Sequence, residues 1–140
     1  SAASDVYKRQ NWGWAIEIAN ILTKVGQRDH AEELLNKALR VIEFTPRLGY
    51  SGFGVGDAEI FALLGSKEKA LSAFATAVDS GWRSSWLLKS EMNDNLMSLH
   101  DDPRYQAIVA DIQTEMAEQL ARVREWEARG ELAIIPTSPE

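Results

Sequence analysis

Residues 11–46 read NWGWAIEIANILTKVGQRDHAEELLNKALRVIEFTP, two periodic apolar stretches broken at Gly26. The punctuation Gly26, Ala31, Leu35 and Ala38 returns as Gly65, Ala70, Phe74 and Ala77, each time at +5, +9 and +12 from the glycine. Upstream, Ala19 and Ala58 stand at −7, and Leu22 and Phe61 at −4. Self-similarity at a fixed offset marks repeated units that bury their apolar faces by stacking. The glycine ends the first helix of each unit, because it enters the left-handed C-cap without strain. The alanines fall where two helices cross, and small side chains there let the axes approach to about 8–10 Å. Leu35 and Phe74 fill the space between.

Working outward, residues 11–25 predict a helix. Trp14, Ala15, Ile18, Ala19, Leu22 and Val25 follow the spacing of one buried face. Asp29 or a neighbour caps the next helix, whose stripe is Ala31, Leu34, Leu35, Ala38, Leu39 and Ile42, and Thr45-Pro46 stops it. Residues 45–56 carry Gly49, Gly52, Gly54 and Gly56. A phosphate loop needs Lys-Ser or Lys-Thr after its last glycine and a strand before it; here Asp57 follows and a helix precedes. The stretch reads as a loop between repeats. Asp57 to Leu64 is a short helix, and Ser66 caps another over residues 67–79 that Gly81 closes. Trp82 and Trp86 then seal the end of the stack or offer a ligand platform. Short helices around Asn93-Asp94-Asn95 lead to Asp102-Pro103, an N-cap followed by proline at the first helical position. The last helix runs toward Gly130 and would span about 40 Å, so its second half is expected to leave the body.

Ala15-x2-Ile18-Ala19-x2-Leu22, Gly26, Ala31-x3-Leu35-x2-Ala38 and its second copy resemble the tetratricopeptide repeat. The spacing departs from the family's period of about 34 residues, since Gly26 to Gly65 is 65 − 26 = 39, the surplus falling in the glycine loop. The resemblance implies an all-α fold, an α-solenoid of antiparallel helix pairs with two repeats and a long C-terminal capping helix. Val55-Gly-Asp-Ala-Glu59, Ala62-Leu63-Leu64-Gly65, Ala77-Val-Asp-Ser-Gly81-Trp-Arg83 and Asp101-Asp-Pro-Arg-Tyr-Gln106 are further similar to the C-terminal repeat region of bacterial multidomain signalling proteins. Those carry a nucleotide cyclase, kinase or winged-helix regulator upstream. The implied function is a non-catalytic scaffold that binds a peptide or partner domain on a concave face, within a larger regulatory protein. In the family the first helix of each pair lines that face. The positions off the stripe are Ile16, Asn20 and Thr23, with Glu59 and Ala62 as counterparts; Trp82 and Trp86 are the fallback surface. Asn20 suits an extended backbone, because an amide both donates and accepts. Glu59 should disfavour acidic tails.

The 140 residues suffice for one domain with its own core. Residues 1–10 carry no helical stripe, resemble sequencing-adapter read-through, and are expected to be non-native or disordered. On that expectation the protein is a C-terminal fragment of a longer chain. Residues 11–130 form the helical domain and residues 131–140 a loose tail. No stretch approaches a membrane span of about 20 apolar residues. The lack of cysteine removes disulfide and thiol chemistry and fits the cytoplasm, or the periplasm if an upstream membrane anchor exists. The net charge of −6 is uneven: residues 101–140 hold nine acids against four bases, which speaks against a nucleic-acid footprint.

Only His30 and His100 could act as neutral-pH bases, and neither belongs to a nucleophile–base–orienter pattern. His100-Asp101-Asp102 cannot converge on one metal ion while Asp102 caps a helix. No enzyme activity, cofactor or metal is expected. The alternative to a scaffold is a spacer or homodimerisation module acting through the last helix, where Leu120, Val123 and Trp126 extend the apolar stripe. A small-ligand sensor built from the glycine loop and tryptophans ranks third.

Overall fold

The computed structural model describes residues 12–44 and 54–131. The expectations for residues 1–10, the glycine loop up to Phe53 and the tail from Leu132 lie outside them. The regular elements among the described residues are all helices: α1 (Trp12–Lys24), α2 (Arg28–Glu43), α3 (Val55–Leu63), α4 (Lys67–Asp79), α5 (Trp86–Glu91), a 3-10 helix (Asp94–Leu99) and α6 (Pro103–Ala128). They contain no strand.

The two glycines of the repeat do the same work. Gly26 and Gly65 hold φ of +85° and +74°, so each ends its helix in the left-handed region and returns the chain as a hairpin. Gln27 N–H bonds Leu22 O at 2.8 Å and Ser66 N–H bonds Phe61 O at 2.8 Å, the same closure in both units. Gln27 and Ser66 take the N-cap positions of α2 and α4 without a side-chain cap bond. The cap expected at Asp29 or a neighbour therefore falls at Gln27.

α1 packs on α2 and α3 on α4, and α3 also rests against both helices of the first pair. One apolar cluster joins Ile16, Ala19, Ala31, Leu35, Ala38 and Ile42 to Ile60 of α3. The other centres on Phe74, which meets Trp82 edge-on at 5.8 Å and Tyr105 at 4.8 Å. Leu96 and Leu99 of the 3-10 helix and Val109 and Ile112 of α6 close it. The alanines expected at the helix crossings, Ala31, Ala38, Ala70 and Ala77, are all buried.

Two features differ from the sequence expectation. Gly56 is not loop: it is the second residue of α3, N-capped by Gly54 at φ +77°. A Cβ built on Gly56 would stand 2.8 Å from Trp12 Cη2, so the missing side chain is what lets Trp12 lie on α3. The buried stripe of α1 is also different. Ile16, Ala19 and Asn20 are buried, whereas Trp14, Ile18 and Val25 are exposed. α1 is apolar on both sides, so periodicity offered two stripes, and contact with α2 selected the other one. The start of α6 is as expected: Asp102 Oδ1 accepts from Arg104 N–H at 3.0 Å with Pro103 at the first position. Trp82 is buried edge-on against Phe74.

Candidate functional site

The residues expected to line a concave groove do not form one. Ile16, Asn20 and Ala62 are buried within the chain, and Thr23 is half-buried with Oγ1 donating to Ala19 O at 2.9 Å. Glu59, expected at the surface, is only 4% exposed. Its carboxylate accepts from Lys89 Nζ at 2.9 Å, Asn93 Nδ2 at 2.8 Å and Asn95 Nδ2 at 3.2 Å. Asn95 Nδ2 also reaches Glu17 Oε1 at 3.0 Å, so the network ties α1 and α3 to the segment after α5. A buried charge needs such partners. The 3-10 helix therefore occupies the surface that α1 and α3 would otherwise offer to a peptide. Trp82 is buried and Trp86 half-buried against the same cluster, so these two side chains do not form an open platform.

An open groove lies instead between α5 and α6. It encloses about 370 Å³ and is lined by Ser90, Glu91, His100, Tyr105, Gln106, Val109, Ala110 and Gln113. Its geometry follows from the α6 start. Asp102 fixes the first turn, and Arg104 holds it to α4 through Glu68 at 2.7 and 2.9 Å. The Arg104 guanidinium, with the Arg104 backbone N–H, keeps the Asp102 carboxyl well below the usual carboxylate range. From that anchor Tyr105, Val109 and Ile112 turn toward the core. Gln106, Ala110 and Gln113 follow one position later and stay exposed along the groove.

Tyr105 forms the floor. Its hydroxyl donates to Ser90 O at 2.8 Å, which holds α5 at the groove's other wall. Burial pushes the phenol above its usual range, and the Glu59 and Glu91 charges add to this. His100 stacks on the Tyr105 ring at 5.5 Å, and its Nε2 is buried with no hydrogen-bond partner among the described residues. Gln106 Nε2 donates to His100 O at 2.9 Å, and Gln113 Nε2 reaches Glu91 Oε1 at 3.1 Å across the groove. The site thus combines an apolar strip (Val109, Ala110), two amides, one carboxylate and one imidazole nitrogen.

No family model, curated protein or solved structure matches the chain.

Amides that donate and accept can pair with a peptide backbone, and Glu91 gives the wall a negative charge. Among the described residues no three His, Cys, Asp or Glu side chains gather as a metal set, and no helix is long and apolar enough to cross a membrane. Sequence reasoning missed this site because Ser90, His100 and Gln113 share no motif. Only Asp102-Pro103, which sets the phase of α6, pointed toward it.

Proposed function

We propose that the chain is a non-catalytic protein-interaction module, a short α-solenoid of the tetratricopeptide kind. In this reading it grips an extended polypeptide segment in the groove between α5 and α6. The observation that carries it is the groove itself, where the exposed amides of Gln106 and Gln113 and the Glu91 carboxylate lie along an apolar strip between α5 and α6. The solenoid reading draws support from the two glycine-closed hairpins and from α3 seated on the first pair. Glu91 selects neutral or basic segments over acidic tails. By the resemblance, such a module would serve an output domain in a larger signalling protein.

Titration with neutral, basic and acidic peptides tests this. Ala110→Trp fills the groove from an exposed position and should abolish binding of neutral and basic peptides with an unchanged melting curve. Binding that survives Ala110→Trp, or a preference for acidic peptides, would refute the assignment.

A second reading, a spacer or dimerisation module acting through the end of α6, is favoured by one observation. Packing along α6 ends at the half-buried Met116, while Leu120 and Trp126 further on remain 49% and 42% exposed.

A further inference from the structure

We propose that the outward face of α1 is a homodimer interface, in which α1 packs antiparallel against α1 of a second copy. The proposal does not depend on the peptide groove. Its starting point is that α1 is apolar on two opposite sides. Ile16, Ala19 and Asn20 face the core, while Trp14, Ile18, Ile21 and Val25 are 70%, 48%, 60% and 63% exposed. At about 100° per residue the two sets centre roughly half a turn apart. A helix that is hydrophobic all round is ordinarily a covered helix.

The internal repeat shows what this face does when it is covered. The repeat offset of 65 − 26 = 39 carries Ile21 onto Ile60 and Val25 onto Leu64. Ile60 is 0% exposed and sits within the cluster of the first helix pair, with Leu64 packed beside it. At these two register positions a helix-seating face in one unit is an open face in the other; Ile18 falls on Asp57, and the counterpart of Trp14, Phe53, lies outside the described residues.

The details of the open face fit a second copy. Its spacing, 14, 18, 21, 25, is 4-3-4 and reads the same in either direction. An antiparallel partner places Trp14 opposite Val25 and Ile18 opposite Ile21, with no apolar residue left unmatched. Glu17 and Lys24, seven residues apart, share one flank of this stripe. The two-fold axis brings Glu17 beside Lys24 of the second copy, twice, as opposite charges flanking the seam. Within each protomer both charges are already aligned along that flank: Asn95 Nδ2 donates to Glu17 Oε1 at 3.0 Å and Lys24 Nζ to Asp94 Oδ2 at 2.6 Å. The opposite flank, Ala15 and Leu22, is half-buried and apolar. This matching of a surface with itself is what an isologous interface requires.

Sedimentation velocity of the full chain, from low micromolar into the hundreds of micromolar, tests it. The wild type should convert reversibly from monomer to dimer. Ile18→Glu should raise the dissociation constant by about tenfold or more, since it buries an unpaired charge, with an unchanged circular dichroism spectrum. Glu17→Lys should weaken the dimer by like-charge repulsion, and the double exchange Glu17→Lys with Lys24→Glu should restore it. A wild type that stays monomeric throughout would overturn the proposal. So would a dimer indifferent to Ile18→Glu but lost on truncation after Gln119, which would place the interface on α6. Failure of the double exchange to restore association would overturn the antiparallel pairing.

Discussion

Replacing Glu59 should expose how strongly the buried carboxylate holds α3 to the segment after α5. In Glu59→Ala three donors lose their acceptor: Lys89 Nζ, Asn93 Nδ2 and one of the two contacts of Asn95 Nδ2. Breaking a fully buried ion pair costs about 3–5 kcal/mol. The Lys89 side chain is 36% exposed, however, so its ammonium can turn toward water and recover part of its hydration. Asn95 Nδ2 also keeps Glu17. The expected loss is therefore about 2 kcal/mol, near the cost of a buried donor left unmatched. Glu59→Gln keeps an acceptor of the same shape but removes the charge, and should cost about 1 kcal/mol. Lys24→Ala supplies the contrast. Its ion pair with Asp94 is shorter, 2.6 Å, yet both side chains are more than half exposed, so the loss should stay below about 0.5 kcal/mol. Urea unfolding followed by circular dichroism and tryptophan fluorescence reads all three. A cost below about 0.5 kcal/mol for Glu59→Ala, or an equal cost for Lys24→Ala, would refute the reasoning that burial rather than distance sets the strength of these pairs.

Gly56→Ala should destabilise by about 1–3 kcal/mol, because the new methyl would overlap the Trp12 ring; helix propensity alone forecasts the opposite sign, a gain of about 1 kcal/mol, so the melting temperature decides between them. Ala38→Leu should cost about 1–3 kcal/mol in urea unfolding, since Ala38 is buried where α2 meets the first cluster. The depressed carboxyl of Asp102 contributes stability that is present above about pH 4 and lost as pH falls below it. Asp102→Asn keeps the cap acceptor without the charge, so the drop in melting temperature between pH 7 and pH 3 should be smaller in the variant. Tyr105→Phe removes the hydroxyl that donates to Ser90 O and leaves that carbonyl short of a donor, which should cost about 1 kcal/mol by thermal unfolding.

The amino-acid sequence alone determined the helical class, the two glycine-closed hairpins and the start of α6. Each rests on short-range physics: a left-handed C-cap at Gly26 and Gly65, small residues at Ala31, Ala38, Ala70 and Ala77, and an Asp-Pro start at Asp102 and Pro103. Tertiary structure decided the rest. Periodicity could not say which of two apolar stripes α1 buries, because Ile16 and Ile18 are equally hydrophobic; the crossing with α2 chose Ile16. It could not foresee that Glu59 would be buried, because its partners Lys89, Asn93 and Asn95 lie 30 to 36 residues away and gather only when the 3-10 helix folds onto α3. The groove was illegible for the same reason. Ser90, His100 and Gln113 have ordinary neighbours in the chain, and become a site because the Tyr105 hydroxyl holds α5 beside α6.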